Sequence, residues 1–159
     1  MRYLKFEDLP VWKDAAEVTR VMLEFTSVEV FRPHPGLRNQ LEGAALSMSN
    51  IAEGFERETT NELLAFLYVA RGSAGEVRSM LRILETWSLF DGYKSRLADL
   101  IVRCEKISKQ LYGWIEQLKT SGMRGQRHLQ KQTKTPIIPT KQDEHGKDLR
   151  LSPAKSEKN

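Results

Sequence analysis

Reactive chemistry in this 159-residue chain would have to come from three histidines, one cysteine and scattered serines. The histidines are His34, His128 and His145. A carboxylate-bridged metal pair in a helical bundle needs inward glutamates and Glu-x-x-His pairs. None of these histidines falls in a helical segment, so that site is not expected. One cysteine and three dispersed histidines cannot complete the tetrahedral set of structural zinc. Cys104 falls on an apolar stripe, where burial raises a thiol's pKa and quenches its reactivity. Ser47, Ser49 and Ser73 have no histidine at helical spacing to act as a base. No phosphate loop of the Gly-x-x-x-x-Gly-Lys type occurs. The residues therefore predict no catalytic group, no metal and no cofactor.

Two polar clusters remain. Asn50 and Glu53 share a helical face, and Glu53 reaches Arg57 at i+4. Arg71, Ser73 and Glu76 form the second cluster. Arg71 and Glu76 are five residues apart, a poor spacing for a direct pair on one helix, so each would meet a group on another helix or subunit. The bland reading is a solvated polar face. The sharper one is a polar network at a helix–helix or subunit contact, where an Arg–carboxylate pair fixes register. On that reading Asn50, Glu53, Arg57, Arg71 and Glu76 are the oligomer or partner interface. Arg71-Gly72-Ser73-Ala74-Gly75-Glu76 lies inside a helical stripe, and its small residues predict close packing between helices.

Four segments with three-four apolar spacing must position these groups. The first covers about 9–26, with Val11, Ala15, Val18, Met22 and Phe25 as its stripe, Asp8 as N-cap and Pro10 in the first turn. The second covers about 36–54, with Leu37, Leu41, Ala44, Met48 and Ile51. The third covers about 60–89, with Leu63, Leu67, Ala70, Ala74, Val77, Leu81 and Leu84. Thr59 and Glu62 read as its capping box. After a turn at Asp91-Gly92, the fourth covers about 93–119, with Tyr93, Leu97, Leu100, Cys104, Ile107, Leu111, Trp114 and Leu118. No segment alternates with period two. The fold class is all-α: an antiparallel up-down four-helix bundle over residues 1–119, with a disordered basic tail over 120–159. A three-helix core with one helix swapped to a partner has the same stripes.

Charge divides along the same boundary. The tail holds nine Lys/Arg against four Asp/Glu, a balance of +5, leaving residues 1–119 at −1 with 16 bases and 17 acids. A near-neutral bundle argues against one broad phosphate-binding face. Arg78 and Arg82 are i,i+4 on the third helix. Arg96, Arg103, Lys106 and Lys109 lie on the fourth, interrupted by Asp99 and Glu105. Arg78 and Arg82, with Arg124, Arg127, Lys131 and Lys134 of the tail, are the candidate nucleic-acid contacts. Ile137-Ile138 between two prolines is a short candidate docking motif. Trp12, Trp87 and Trp114 sit at or beside stripes and read as core or interface anchors rather than base-stacking platforms. No apolar run is long enough for a membrane span, no apolar segment follows Met1, and a lone cysteine fits a reducing compartment, so a cytoplasmic location is expected.

Several of these residues also form recognisable motifs. Leu9-Pro10-Val11-Trp12-Lys13-Asp14-Ala15 opens the series. Gly36-Leu37-Arg38-Asn39-Gln40-Leu41, with Ala44-Ala45 and Ser47, follows. Asn50-Ile51-Ala52-Glu53-Gly54 with Arg57 is the most distinctive. Phe66-Leu67, Ala70-Arg71-Gly72-Ser73-Ala74 and Glu76 complete it. Over about residues 3–118 the chain resembles the bacterial four-helix bundle proteins, also called ribosomal-RNA intervening-sequence proteins. The resemblance implies a four-helix bundle assembled as a ring-like homopentamer, with no enzymatic activity. A related branch, the accessory variability determinant proteins of diversity-generating retroelements, implies a reverse transcriptase and nucleic acid as partners. The chain departs from the pattern at Glu42-Gly43, where the family places basic residues, which weakens RNA binding by the bundle itself. The leading expectation is a non-enzymatic homo-oligomeric scaffold that engages RNA or a nucleic-acid enzyme. The alternative is a protein–protein adaptor with no nucleic-acid role.

Overall fold

A computed structural model of the chain describes residues 3–121. Among them five α-helices form: α1 (Pro10–Thr26), α2 (Pro35–Ser47), α3 (Asn50–Glu56), α4 (Thr60–Glu85) and α5 (Lys94–Thr120). Short 3-10 turns cover Phe6–Asp8, Glu29–Phe31 and Ser88–Tyr93, and there is no strand among the described residues. The candidate tail contacts Arg124, Arg127, Lys131 and Lys134, the Ile137-Ile138 motif, His128 and His145 lie outside the described residues.

The stripes are the core. Every stripe residue of α4, from Leu63 to Leu84, is buried, as are Val11, Ala15, Val18, Met22 and Phe25 of α1 and Leu97, Leu100, Cys104, Ile107 and Leu111 of α5. Leu37, Tyr93, Trp114 and Leu118 at the stripe ends are only half-buried, and Ile115 fills the position beside Trp114. α1 packs against α2 and α5, while α4 packs against α2, α3 and α5. Cross-helix contacts fix the directions. Asp14 meets Lys106 and Gln110 while Glu24 meets Arg96, so α1 and α5 run oppositely. Thr19 meets Ala45 and Thr26 meets Glu42, so α1 and α2 also run oppositely. Lys119 lies over Tyr68 and Arg71 over Tyr112, which sets α5 against the first half of α4.

Three element boundaries differ from the sequence reading. The second segment is not one helix: α2 stops at Ser47 and α3 restarts at Asn50. Ser47 Oγ donates to Gly43 O at 2.8 Å and Asn50 Nδ2 donates to Ser47 O at 2.6 Å. Ser and Asn side chains of this kind compete with the helical ladder for backbone groups. Met48 and Ile51 stay buried across the break, so the apolar stripe keeps its phase. α4 ends at Glu85 rather than near Leu89. Thr86 Oγ1 donates to Ile83 O at 2.7 Å, and the following 3-10 turn drives Phe90 into the core. There Phe90 meets Phe31 edge-on at 5.2 Å, and Phe31 meets Phe25 edge-on at 5.1 Å, closing that end of the bundle with edge-to-face rings. Asp8 does not cap α1. It sits in a 3-10 turn, Leu9 occupies the N-cap without a side-chain bond, and Pro10 opens the helix. The Thr59–Glu62 capping box forms in both directions.

Candidate functional site

Asn50 and Glu53 lie on α3 and Arg57 follows its last residue; of the three, Glu53 and Arg57 are joined directly. Asn50 bridges the α2–α3 break through Ser47 O. Arg57 Nη2 donates to Glu53 Oε1 at 2.5 Å, and its guanidinium lies 4.8 Å from the Phe66 ring centre on α4. Glu53 and Arg57 are both solvent-exposed, with about half their side-chain surface open, so the pair contributes at most about 1 kcal/mol. Between them, Gly54 is buried where α3 touches α4. A Cβ there would lie 2.7 Å from Phe66 Cβ and 3.3 Å from Leu63 O. Among the described glycines it is Gly54 that marks a close approach of one helix to another. Gly72 and Gly75, expected to bring helices together, have nothing within 4 Å of a built Cβ. They lie off the stripe defined by Ala70 and Ala74, Gly72 exposed and Gly75 half-buried at the edge of α5.

The second polar cluster does not assemble. Arg71 is half-buried on the flank of α4 that faces α5, where its guanidinium lies 5.0 Å from the Tyr112 ring centre. Glu76 projects from another flank, exposed and without an ion-pair partner among the described residues. Ser73 is buried and donates to Val69 O at 3.1 Å, a bond within its own helix. Among the described residues neither Glu53 nor Arg71 belongs to a buried ion pair.

Arg71 lines a groove of about 650 Å³ between α4 and α5, with Tyr68, Gly75 and Arg78 on one wall and Lys109 and Tyr112 on the other. Glu105, also in the groove, accepts from Lys109 Nζ at 2.6 Å. That hydrogen bond and the Lys109 charge hold the Glu105 carboxyl below its ordinary pKa, with smaller help from Arg78 and Arg82. Of the two α4 nucleic-acid candidates, Arg78 reaches this groove, whereas Arg82 is neutralised by Glu85 at 2.8 Å. Nothing in the stripe analysis singled out Tyr68 or Tyr112. The spacing of Tyr68, Arg71, Gly75 and Arg78 (three, four, three) places them on one flank of a helix and is the signal that would have found that wall.

A further flank of α4 carries two exposed hydrophobes, Val69 and Ile83, about four turns apart with exposed Glu76 between them. Val69 is 51% and Ile83 62% accessible, and Trp87 and Leu89 are exposed past the helix end. Trp87 also meets His34 at 4.9 Å and Phe90 at 5.4 Å, so this tryptophan anchors the bundle end while showing one edge. Trp12 packs edge-on against Phe6 at 5.1 Å, and Trp114 packs on the core.

Elsewhere the ionisable groups serve packing. Asp14 accepts from Lys106 Nζ at 2.8 Å and Gln110 Nε2 at 2.5 Å, joining α1 to α5. Partial burial pushes the Asp14 carboxyl up, but those two bonds and the Lys106 and Arg103 charges outweigh it and hold the carboxyl below its ordinary value. Burial pushes the Cys104 thiol up to about 12, slightly offset by Arg78. At neutral pH that thiol is protonated and packed, which makes it a core residue and not a nucleophile. No group of three or more His, Cys, Asp or Glu among the described residues is placed to hold a metal ion. No described helix is long and apolar enough to cross a membrane.

Fold and surface together define a class: among the described residues, an all-helical bundle with its charged groups on outward flanks and along an open α4–α5 groove. The family model for the 23S rRNA-intervening sequence protein matches residues 7–113, and the chain belongs to that family. Comparison with curated proteins finds no match.

Proposed function

We propose that the chain is a non-enzymatic scaffold that assembles with copies of itself, as a pentamer, and associates with RNA or with a nucleic-acid enzyme such as a reverse transcriptase. The observation that carries the assembly reading is the exposed apolar area on the outward flank of α4. Single exposed hydrophobes are ordinary, but Val69 and Ile83 on one flank, with Trp87 and Leu89 exposed just past the helix end, offer apolar area that a partner would cover. Glu76 lies on the same side and would find its counter-charge across that contact. Of the other expected interface residues, Asn50, Glu53 and Arg57 lie at α3, whereas Arg71 lies on the α5-side flank and is left out of this contact. Five copies is the number that the family resemblance implies. Size exclusion with light scattering at micromolar concentration is the test. A mass of five chains is expected, and the double substitution V69K/I83K should yield a helical monomer. A wild-type monomer removes the assembly reading.

The RNA part rests on the family and on the unpaired arginines of the α4–α5 groove. Filter binding of RNA across a salt series should show affinity that falls steeply as salt rises. No retention at low salt rejects it. One observation favours the adaptor reading instead: most cations of the described residues are already ion-paired, from Arg20 on α1 to Lys119 on α5. A partner captured from the native host irrespective of nuclease treatment would favour that adaptor over the RNA scaffold.

A further inference from the structure

Resting on the RNA reading above, we propose that the α4–α5 groove seats single-stranded RNA, with phosphates on Arg71 and Arg78 and bases stacked on Tyr68 and Tyr112. The charge pattern comes first. Among the described residues only Lys5, Lys13, Arg71 and Arg78 lack a carboxylate at ion-pair distance. Two of the four share this groove, seven residues apart on α4 and so roughly 10 Å apart along its axis. The groove's Glu105 is bound to Lys109, so the cations outnumber the anion. An anionic polymer matches two such fixed charges better than a single small anion does.

The aromatic pattern selects the kind of polymer. Tyr68 is 45% and Tyr112 51% exposed, one on each wall. Arg71 lies 5.0 Å from the Tyr112 ring centre and Lys119 5.5 Å from that of Tyr68. Each ring therefore carries a cation over one face, and a base that stacks there would displace that cation toward the strand's phosphates, the pairing of base and backbone contacts by which proteins hold single strands. A duplex keeps its bases stacked inside and offers no free faces to the tyrosines. Gly72 and Gly75 weaken α4 without bringing it closer to any other helix of the chain, since a Cβ at either meets nothing within 4 Å. What their missing side chains do provide is an open floor between the two tyrosines.

The test uses the full chain and a fluorescent 12-nucleotide uridylate, with a 12-base-pair RNA duplex beside it. G75L fills the groove with a better helix former whose Cβ meets no neighbour, and circular dichroism with an unfolding midpoint checks that the variant keeps the fold. We expect tenfold or greater loss of single-strand affinity for G75L. R71Q/R78Q should lower the slope of log K against log salt by about 1.4, from roughly 0.7 per phosphate on a single strand. Neither variant touches the basic tail, so binding through the tail would be unchanged in both. Wild-type binding that survives G75L and R71Q/R78Q unaltered overturns the groove while leaving the RNA reading standing. Absence of wild-type binding at low salt overturns both. A change of oligomer mass in G75L with RNA affinity intact also overturns the proposal and makes the groove a protein contact.

Discussion

Replacing Gly54 with alanine should destabilise the bundle, although alanine is the better helix former. Two terms of opposite sign decide this. Alanine gains about 1 kcal/mol over glycine in a helix interior, and less near an end such as that of the seven-residue α3. Against it stands a clash: the new methyl would lie 2.7 Å from Phe66 Cβ, 3.2 Å from Leu63 Cδ1 and 3.3 Å from Leu63 O. Phe66 Cβ and Leu63 O are fixed to the backbone of α4, so no rotamer change relieves them, and α3 has to lift. Overpacking of this kind costs typically 1–3 kcal/mol, and an immovable neighbour puts it near the top of that range. Taking about 3 against about 1 leaves about 2 kcal/mol of net loss. For a folded part of roughly 120 residues, each kcal/mol moves the midpoint by about 4 °C, so Tm should fall by about 8 °C.

The control is Gly75→Ala. There the propensity gain is unopposed, since a Cβ meets nothing within 4 Å, and stability should rise by about 1 kcal/mol. Thermal and urea unfolding followed by circular dichroism at 222 nm, at one fixed protein concentration, compares the two. Shifts of opposite sign are required. If both glycines move Tm in the same direction, or if Gly54→Ala matches the wild type, the close contact of α3 with α4 is refuted.

Asp14→Ala should cost roughly 1 kcal/mol at pH 7 by releasing α1 from Lys106 and Gln110. Because the folded carboxyl titrates below its unfolded value, the clasp is fully present above the ordinary aspartate pKa and is lost as pH falls through the depressed one. The wild-type-minus-variant gap should therefore close in acid, and a gap that is constant with pH in chemical denaturation would contradict the assignment. Cys104 should react with a disulfide reagent at pH 7 only at the rate of unfolding, because its thiol is buried and pushed up to about 12; fast native labelling would place it elsewhere. Asn50→Ala should cost about 1 kcal/mol by freeing Ser47 O at the α2–α3 break, whereas Glu53→Ala should cost under about 0.5, its partner being solvated. Reversal of that order in urea midpoints would make Glu53 part of a buried contact between copies.

The helical fold was legible because burial repeats every three or four residues, and period alone fixes a stripe. All seven α4 stripe residues are fully buried. The break at Met48-Ser49 was not legible, since Met48 and Ile51 keep the apolar phase through it and only the side chains of Ser47 and Asn50 reveal it. The early end of α4 was hidden in a similar way. Leu89 is apolar but exposed, while Phe90, one residue later, turns back into the core. Glycine placement was misread for a reason the sequence already contained. Gly72 lies two residues from both Ala70 and Ala74, at about 200° around a helix from each, so it had to face away from the core. Gly54, three residues beyond Ile51, stays on the buried side. Asn50, Glu53 and Arg57 were legible as neighbours from i+3 and i+4 spacing. The facing of Tyr112 to Arg71 was not, because it depends on how far α5 slides along α4.

α4 therefore has three flanks with separate chemistry, and their separation follows from helical geometry. Residues about 100° apart per step place Leu63, Leu67, Ala70 and Ala74 inward, Tyr68, Arg71, Gly75 and Arg78 toward α5, and Val69, Glu76 and Ile83 outward. The inward flank is occupied by the bundle itself. The α5-side flank is polar and aromatic with unpaired charge, and the outward flank exposes Val69 and Ile83 on either side of Glu76. One contact cannot satisfy both exposed flanks, because burying Arg71 and Arg78 against apolar partners would leave them without counter-ions at a cost of several kcal/mol. Two partners on one helix is the arrangement those flanks permit: copies of the chain over Val69 and Ile83, and an anionic ligand in the groove. Assembly should then be sensitive to V69K/I83K and indifferent to R71Q/R78Q. A double substitution in the groove that dissociates the oligomer would collapse the two flanks into one interface.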